Sequence, residues 1–280
     1  MSGSSCVEGS WVEPMSRRRF GYHFWGAQDA RALLVVVHGF GEHSGRYEPF
    51  ARRLAEQGIA VAAPDLWAHG RSGGTRGDLG EVADCVRQLQ QMAVEVFLPQ
   101  AGQTRYTLFG HSFGGLASIL WALDAPVPLK RLVLQSPLLE VGFKIPGWKR
   151  GAATLLARVW PTWSFHMGLD LSRLSHDPAV RQAYLADPSN HDSMSVRTYW
   201  SIQRAKDDAF AGAPALRIPV LLLCGTDDRI ISVERAQQWF DLVACPKRRL
   251  MFPGSYHELH HETIRDEALR AVRDWVLTDG

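Results

Sequence analysis

The sequence predicts an α/β fold in which a mostly parallel, eight-stranded sheet is flanked by helices and a helical cap is inserted after the sixth strand. Three observations predict it. Apolar strand-like runs alternate with segments of helical periodicity along most of the 280 residues. The run at 33–37 is unbroken and apolar, which is typical of a strand buried on both faces. Between Ser136 and Ile218 the alternation stops, and helical segments rich in Trp, Leu and Arg take its place.

The predicted elements follow one another as β-α units. We expect the small, polar residues 1–15 to fray, and strands to cover Arg19–Trp25 and Ala32–Val37. A helix around 50–55 ends at Gly58, a suitable C-terminal cap. The later elements are, in order, a strand at 59–63, a helix at 80–98, a strand at 106–109, a helix at 113–123, strands at 132–135 and 220–224, a helix at 233–242, a strand at 248–251 and a helix at 264–276. Strands that alternate with helices form a parallel sheet with right-handed crossovers.

The predicted organisation is a core in two parts, residues 1–136 and 219–280, with a cap at 137–218. Lys and Arg number 31 and Asp and Glu 29, a balance that disfavours nucleic acid as a partner. The four cysteines form no metal-ligand pattern, so neither a metal nor an organic cofactor is expected. With no signal peptide and no run of about 20 apolar residues, the sequence predicts a cytoplasmic protein that is not integral to a membrane.

The sharpest motif is Gly110-His111-Ser112-Phe113-Gly114, which matches G-x-S-x-G between a predicted strand and a predicted helix. The turn at this place in the fold is so tight that its flanking positions must lack a Cβ atom, and it exposes the serine oxygen beside a helix N-terminus. Alone, the pentapeptide could be a helix start of no chemical meaning. Its context makes Ser112 the predicted nucleophile.

A serine nucleophile needs a base and an acid that orients the base. The strand at 220–224 runs into a loop with Asp227 and Asp228, and the strand at 248–251 runs into a loop that ends at His257. The order Ser, Asp, His is that of α/β-hydrolases and differs from the order in chymotrypsin and subtilisin. Spacing does not separate the two adjacent aspartates.

An oxyanion hole requires two preorganised N–H donors. One is predicted to be the backbone amide of Phe113, the residue after the nucleophile. The other is predicted in the loop after the buried strand at 32–37, whose glycines allow close approach of backbone to substrate, and we assign it to the amide of Phe40.

With these residues, the chain resembles the monoglyceride lipase and lysophospholipase group of α/β-hydrolases, also called serine aminopeptidase S33-like. The resemblance runs from Arg19 to Trp275. Its most specific motifs lie at residues 38–47, 65–76, 110–115 and 254–262. In that family the acid is the fourth residue of a Gly-x-x-Asp loop, which implies Asp228 here. Trp67-Ala68 and Phe113 depart from the common family pattern.

The resemblance implies a carboxylic-ester hydrolase that acts on a small lipid ester, with a monoacylglycerol as the leading substrate. A lysophospholipid or general carboxylic ester is the alternative, and an aminopeptidase or amidase is less favoured because the cap is basic. An intact triad argues against a noncatalytic binding protein on this fold. We expect the protein to be a monomer or homodimer.

The cap is rich in apolar residues that could line an acyl tunnel, touch a membrane surface transiently, or only pack the cap onto the sheet. These residues are Leu138, Leu139, Val141, Phe143, Ile145, Trp148, Trp160, Trp163, Phe165 and Met167.

Overall fold

The computed structural model describes residues 6–124, 128–143 and 147–278, and for residues 148–150 and 152 it describes the backbone alone. Ten strands lie in these ranges. They are β1 (Cys6–Val12), β2 (Arg19–Trp25), β3 (Ala32–Val37), β4 (Ile59–Pro64), β5 (Tyr106–His111), β6 (Leu129–Gln135), β7 (Ser164–His166), β8 (Ser193–Ser195), β9 (Val220–Gly225) and β10 (Lys247–Phe252). The helices of the same ranges are α1 (Glu48–Ala55), α2 (Val82–Met92), α3 (Leu98–Ala101), α4 (Phe113–Leu123), α5 (Gly147–Val159), α6 (Pro178–Ala186), α7 (Val196–Gly212), α8 (Val233–Leu242) and α9 (Arg265–Leu277).

Eight strands form one sheet in the order β1-β2-β4-β3-β5-β6-β9-β10. The pairs from β4 to β10 are parallel, and β1 and β2 add an antiparallel edge. The central strands are apolar and buried from Leu33 onward in β3 and throughout β4 and β9, because helices cover both faces. The predicted mostly parallel, eight-stranded sheet is confirmed.

The prediction that the first 15 residues fray is wrong for β1. Cys6–Val12 pairs antiparallel with β2 over all seven residues, from Cys6 opposite Trp25 to Val12 opposite Arg19. The Trp11 ring lies 5.9 Å from that of Phe20, so a large side chain anchors the segment. Cross-strand hydrogen bonds and this aromatic contact outweigh the weak local signal of a short, Gly- and Ser-containing run.

Two apolar layers pack on the two faces of the sheet. On one face, α1 and α9 cover Leu34, Val36 and Val61. On the other face, α2, α4 and α8 cover Val35, Leu108 and Leu132. The two layers pack closely against the central strands. The loops that follow the carboxyl ends of these strands therefore begin at well-defined positions.

The segment between β6 and β9 interrupts the β-α alternation, as predicted, but it is not entirely helical. β7 and β8 form a separate antiparallel pair, with Phe165 opposite Met194. The last helix, α7, buries Ile202, Ala205 and Ala209 in the same apolar layer as α4. Across the described ranges, no helix is both long enough and apolar enough to cross a lipid bilayer.

Candidate active site

Ser112 lies at the sharp turn between β5 and α4. Its φ of 53° and ψ of −118° place a non-glycine residue at positive φ, which is strained by about 1–3 kcal/mol. A Cβ atom on Gly114 would overlap the carbonyl oxygen of Val37, and one on Gly110 would overlap that of Gly114. The glycines of the motif are therefore required by close backbone packing, which confirms the physical basis on which the turn was predicted.

The main chain of Ser112 is held firmly although its side chain is only half-buried. Its amide donates to the carbonyl oxygen of Gln135 at 3.0 Å. Its own carbonyl oxygen accepts from Leu138 at 2.8 Å and from Gly115 at 2.9 Å. These bonds keep the strained turn in place and present the hydroxyl group at the carboxyl edge of the sheet.

Asp228 and His257 are joined in the structure, and Asp227 is not. Oδ2 of Asp228 lies 2.7 Å from Nδ1 of His257, and both side chains are buried. Oδ1 of Asp228 accepts from the amides of Ile230 at 2.9 Å and Ile231 at 3.1 Å. Asp227 is exposed to solvent, so the geometry distinguishes the two aspartates that the spacing left open.

The electrostatics of this pair suit a base and its orienting acid. Burial alone would lower the pKa of His257, but the Asp228 charge and hydrogen bond outweigh it and raise that pKa. Burial alone would raise the pKa of Asp228, but His257 and the two backbone amides outweigh it and lower that pKa. Asp228 is therefore ionised at neutral pH, and His257 readily accepts a proton.

The His257 ring faces the serine side of the site. Its centroid lies 4.6 Å from the ring of His111, the residue before Ser112. Because Nδ1 is engaged with Asp228, Nε2 is the nitrogen that remains for the serine proton. Among the described residues no hydrogen bond joins the Ser112 hydroxyl to this ring, and such bonds are often loose before substrate binds.

The two predicted oxyanion donors lie beside each other. The rings of Phe40 and Phe113 meet edge to face with centroids 5.6 Å apart, so the two residues are neighbours. The amide of Gly39 donates to Glu42 at 2.6 Å and is not available to a substrate. Within the described part of the chain, the amides of Phe40 and Phe113 donate to no other group. Both amides therefore remain available to bind a developing oxyanion.

A buried ion cluster beneath this loop was not predicted. Arg46 contacts Glu42 and forms two bonds of 2.7 Å with Glu258. Tyr47 donates to Glu42 at 2.9 Å. Burial alone would lower the pKa of Arg46, but the two carboxylates outweigh it and raise that pKa well above its ordinary value. The cluster ties the oxyanion loop to the residue after His257.

The residues of this ion cluster lie in two of the four motifs that carry the family resemblance, but the sequence shows no pairing between segments more than 200 positions apart. Only covariation between the two segments in an alignment of homologues could have indicated this pairing. The fold brings them together because both loops follow strands of one sheet.

The inserted segment contacts both loops that carry the proposed chemistry. The amide of Glu258 donates to Leu174 at 2.8 Å, and that of His257 donates to Arg173 at 3.4 Å. On the other loop, the carbonyl oxygen of Gly41 accepts from the Tyr184 hydroxyl at 2.9 Å and from the His191 amide at 2.8 Å. The insertion therefore holds both loops in place through hydrogen bonds.

The apolar residues predicted for the cap do not all share one environment. Leu139 is buried, while Leu138, Phe165 and Met167 are partly buried against the main apolar layer. Val141 forms an isolated β-bridge with Ile231. Three other side chains are exposed to solvent, namely Phe143, Trp160 and Trp163. Ile145 and the Trp148 side chain lie outside the described residues.

Comparisons with known proteins agree with this geometry. A family model described as serine aminopeptidase, S33 (Hydrolase_4) matches residues 28–264. An uncharacterized abhydrolase domain-containing protein of Dictyostelium discoideum is 32% identical over 251 residues, which cover 88% of this chain and 26% of that protein. This chain therefore spans about a quarter of the length of that relative.

Two further relatives match along most of both chains. Monoglyceride lipase of Homo sapiens is 32% identical over 252 residues, which cover 88% of this chain and 82% of that protein. The crystal structure of Paleococcus ferrophilus monoacylglycerol lipase has a TM-score of 0.81 at 33% identity and covers 91% of this chain and 97% of that chain. The match to that structure confirms the predicted fold class.

Proposed function

The chain belongs to the serine aminopeptidase S33 family of α/β-hydrolases, and on that premise we propose that it hydrolyses monoacylglycerols through an acyl-enzyme on Ser112. The observation that carries this proposal is the buried Asp228–His257 pair, 2.7 Å apart, next to a serine on a strained turn. The human and Paleococcus relatives named above support a monoacylglycerol as the substrate.

In the proposed mechanism, Nε2 of His257 takes the proton of the Ser112 hydroxyl as its oxygen adds to the ester carbonyl. The amides of Phe40 and Phe113 bind the oxyanion, each stabilising the transition state by about 3 kcal/mol. The imidazolium then gives its proton to the departing glycerol oxygen. Water, activated by the same imidazole, attacks the acyl-enzyme and releases the fatty acid, while Asp228 holds the ring and stabilises its charge.

The charges around the site favour an ester over a peptide with a free amino terminus. An aminopeptidase needs an unpaired carboxylate to bind the substrate ammonium group. The two buried carboxylates nearest the oxyanion loop, Glu42 and Glu258, are both paired with Arg46. Neutral alcohol and acyl groups fit this electrically balanced setting better than a cation does.

We further propose that residues 137–218 act as a cap on a core formed by residues 1–136 and 219–280. Two sets of hydrogen bonds support this division: Leu174 accepts from the amide of Glu258, and Tyr184 and His191 both donate to the carbonyl oxygen of Gly41. Met167 lies close to Gly41, so an apolar cap side chain approaches the oxyanion loop, and Phe165 packs against Tyr199 within the cap. An acyl chain would lie along these side chains.

A substrate panel tests the proposed function. Initial rates are measured on monoacylglycerols, lysophospholipids, p-nitrophenyl esters and aminoacyl amides of matched chain length. We expect kcat/KM to favour a monoacylglycerol by about tenfold or more, because pocket contacts of one to two kcal/mol give ratios of this size. Faster turnover of aminoacyl amides than of every ester would refute the proposal.

We also propose that the cap makes a transient contact with a lipid surface. Val159 is the last residue of helix α5 and is 71% exposed, Trp160 follows it and is 59% exposed, and Trp163 is 40% exposed. Apolar and Trp side chains clustered at one surface are typical of interfacial binding.

The double substitution Val159→Ser and Trp160→Ser is expected to reduce binding to phosphatidylcholine vesicles by about tenfold or more, since it removes two apolar side chains that would leave water. Sedimentation with vesicles measures this. Hydrolysis of a water-soluble ester should stay unchanged. Val94→Ser, at a position 48% exposed on the core, is the control. An equal loss of binding in the control would count against a specific contact.

A further inference from the structure

A buried glutamine bridges two histidines beside the proposed base. Gln135 is the last residue of β6 and is 1% exposed. Its Nε2 atom lies 3.0 Å from Nδ1 of His111 and 2.7 Å from Nδ1 of His260. The His111 ring in turn contacts the rings of both His257, at 4.6 Å, and His260, at 5.1 Å. One amide group therefore contacts two of the imidazoles that lie near the proposed base.

The hydrogen bonds determine where the two rings carry their protons. In this orientation the amide nitrogen donates both of its hydrogens, so each Nδ1 atom accepts one and each ring carries its proton on Nε2. The main-chain oxygen of Gln135 is farther from Nδ1 of His111, at 3.3 Å, and already accepts the Ser112 amide. Rotating the side-chain amide by 180° would move both protons to Nδ1, so the two tautomers change together.

The same contacts disfavour a positive charge on either ring. A second proton would have to enter at the Nδ1 atom, which faces the amide hydrogens. Burial, together with His257, lowers the pKa of His111 to about 4. Burial, together with His261 and His111, lowers the pKa of His260 well below its ordinary value. The other charged groups that face His111 are Glu42, Glu258 and Arg46, and they are already paired with one another.

We propose that Gln135 is a positioning residue that keeps His111 and His260 neutral and in one shared tautomer, so that His257 alone becomes charged when it takes the serine proton. A cation on His111 would lie within 5 Å of the imidazolium formed in the transition state and would oppose it. This inference rests on the proposed function of His257, but its first test does not require activity.

The first test is the nitrogen chemical shifts of the histidines in the 15N-labelled wild-type protein between pH 5 and 8. We expect His111 and His260 to stay neutral throughout and to show the same tautomer. Different tautomers on the two rings, or protonation of either within this range, would overturn the proposal. Because no substrate is involved, this result is independent of whether the protein hydrolyses monoacylglycerols.

The second test compares Gln135→Glu with Gln135→Met, a variant of similar size that cannot donate. A carboxylate facing both Nδ1 atoms favours their protonated forms, so Q135E should show two ionisations on the acid side of the kcat/KM profile where the wild type shows one. We expect its kcat below pH 7 to fall about tenfold with KM nearly unchanged, since a cation that destabilises the imidazolium by one pKa unit changes the rate by a factor of about ten.

Q135M should lose part of kcat and the shared tautomer of the two rings, but keep a single ionisation, because burial still disfavours a cation on either ring and no carboxylate attracts the second proton. Thermal unfolding checks that both variants fold. A Q135E profile with one ionisation and unchanged histidine shifts would contradict the proposal.

Discussion

Replacing Ser112 with alanine is expected to lower kcat for ester hydrolysis by about six orders of magnitude, as loss of the nucleophile does in other serine hydrolases. The substitution removes the oxygen that forms the acyl-enzyme, while Asp228, His257 and the two amides remain. The positive φ of 53° at this position is strained for serine and alanine alike, so folding should be little affected. Covalent labelling by a fluorophosphonate should disappear together with turnover.

Ser118→Ala is the matched control for this prediction. Ser118 is a buried serine further along α4, and its hydroxyl has no partner among the described residues. This variant should keep both turnover and labelling. A Ser112→Ala protein that still reacts with the fluorophosphonate would show that the nucleophile lies elsewhere.

The second large effect is expected for Asp228→Asn. Asparagine keeps the size of the side chain but removes its charge, so His257 loses the partner that fixes its tautomer and stabilises its cation. The equivalent change in a serine protease lowers kcat about 10⁴-fold. Asp227→Asn, one position earlier and exposed, should retain activity within about twofold of the wild type, as surface substitutions usually do. Steady-state kinetics on one soluble ester measures both.

The pH dependence gives this pair an independent check. Activity requires neutral His257, and Asp228 raises the pKa of that ring. The acid side of the wild-type kcat/KM profile should therefore lie at a higher pH than an ordinary histidine would give. In Asp228→Asn the raising charge is gone while burial still lowers the pKa, so the residual activity should persist to lower pH. Similar losses in the two aspartate variants, or an unchanged profile, would contradict the assignment of Asp228.

The core elements could be predicted because each has a strong local signal. Helices α4 and α8 and strands β2 and β3 have the predicted bounds, since apolar periodicity and glycine positions define them locally. β1 could not be predicted, because it is stabilised by pairing with β2 and by the contact between the rings of Trp11 and Phe20. β7 and β8 are three residues each and depend on the same kind of distant pairing.

In the candidate site, too, the residues with a local sequence signal were predicted, and those defined by distant contacts were not. Ser112 is specified by a pentapeptide, and His257 by its place after the last strand. The role of Gln135 was not predicted, because its two histidine partners lie 24 and 125 positions away. The ion cluster of Arg46 with Glu42 and Glu258 gave no pairing signal at all.

The sequence by itself determined the β-α order, the tight turn at Ser112 and the chain order of nucleophile, acid and base, because local sterics and hydrophobic periodicity act between near neighbours. Spacing left Asp227 and Asp228 open and the family resemblance implied Asp228; the tertiary structure distinguishes them physically, because only Asp228 is buried against His257. It also decided which amides beside Ser112 remain free and which buried groups surround the base. Those features depend on distances between loops that meet only when the parallel strands align their carboxyl ends in one sheet.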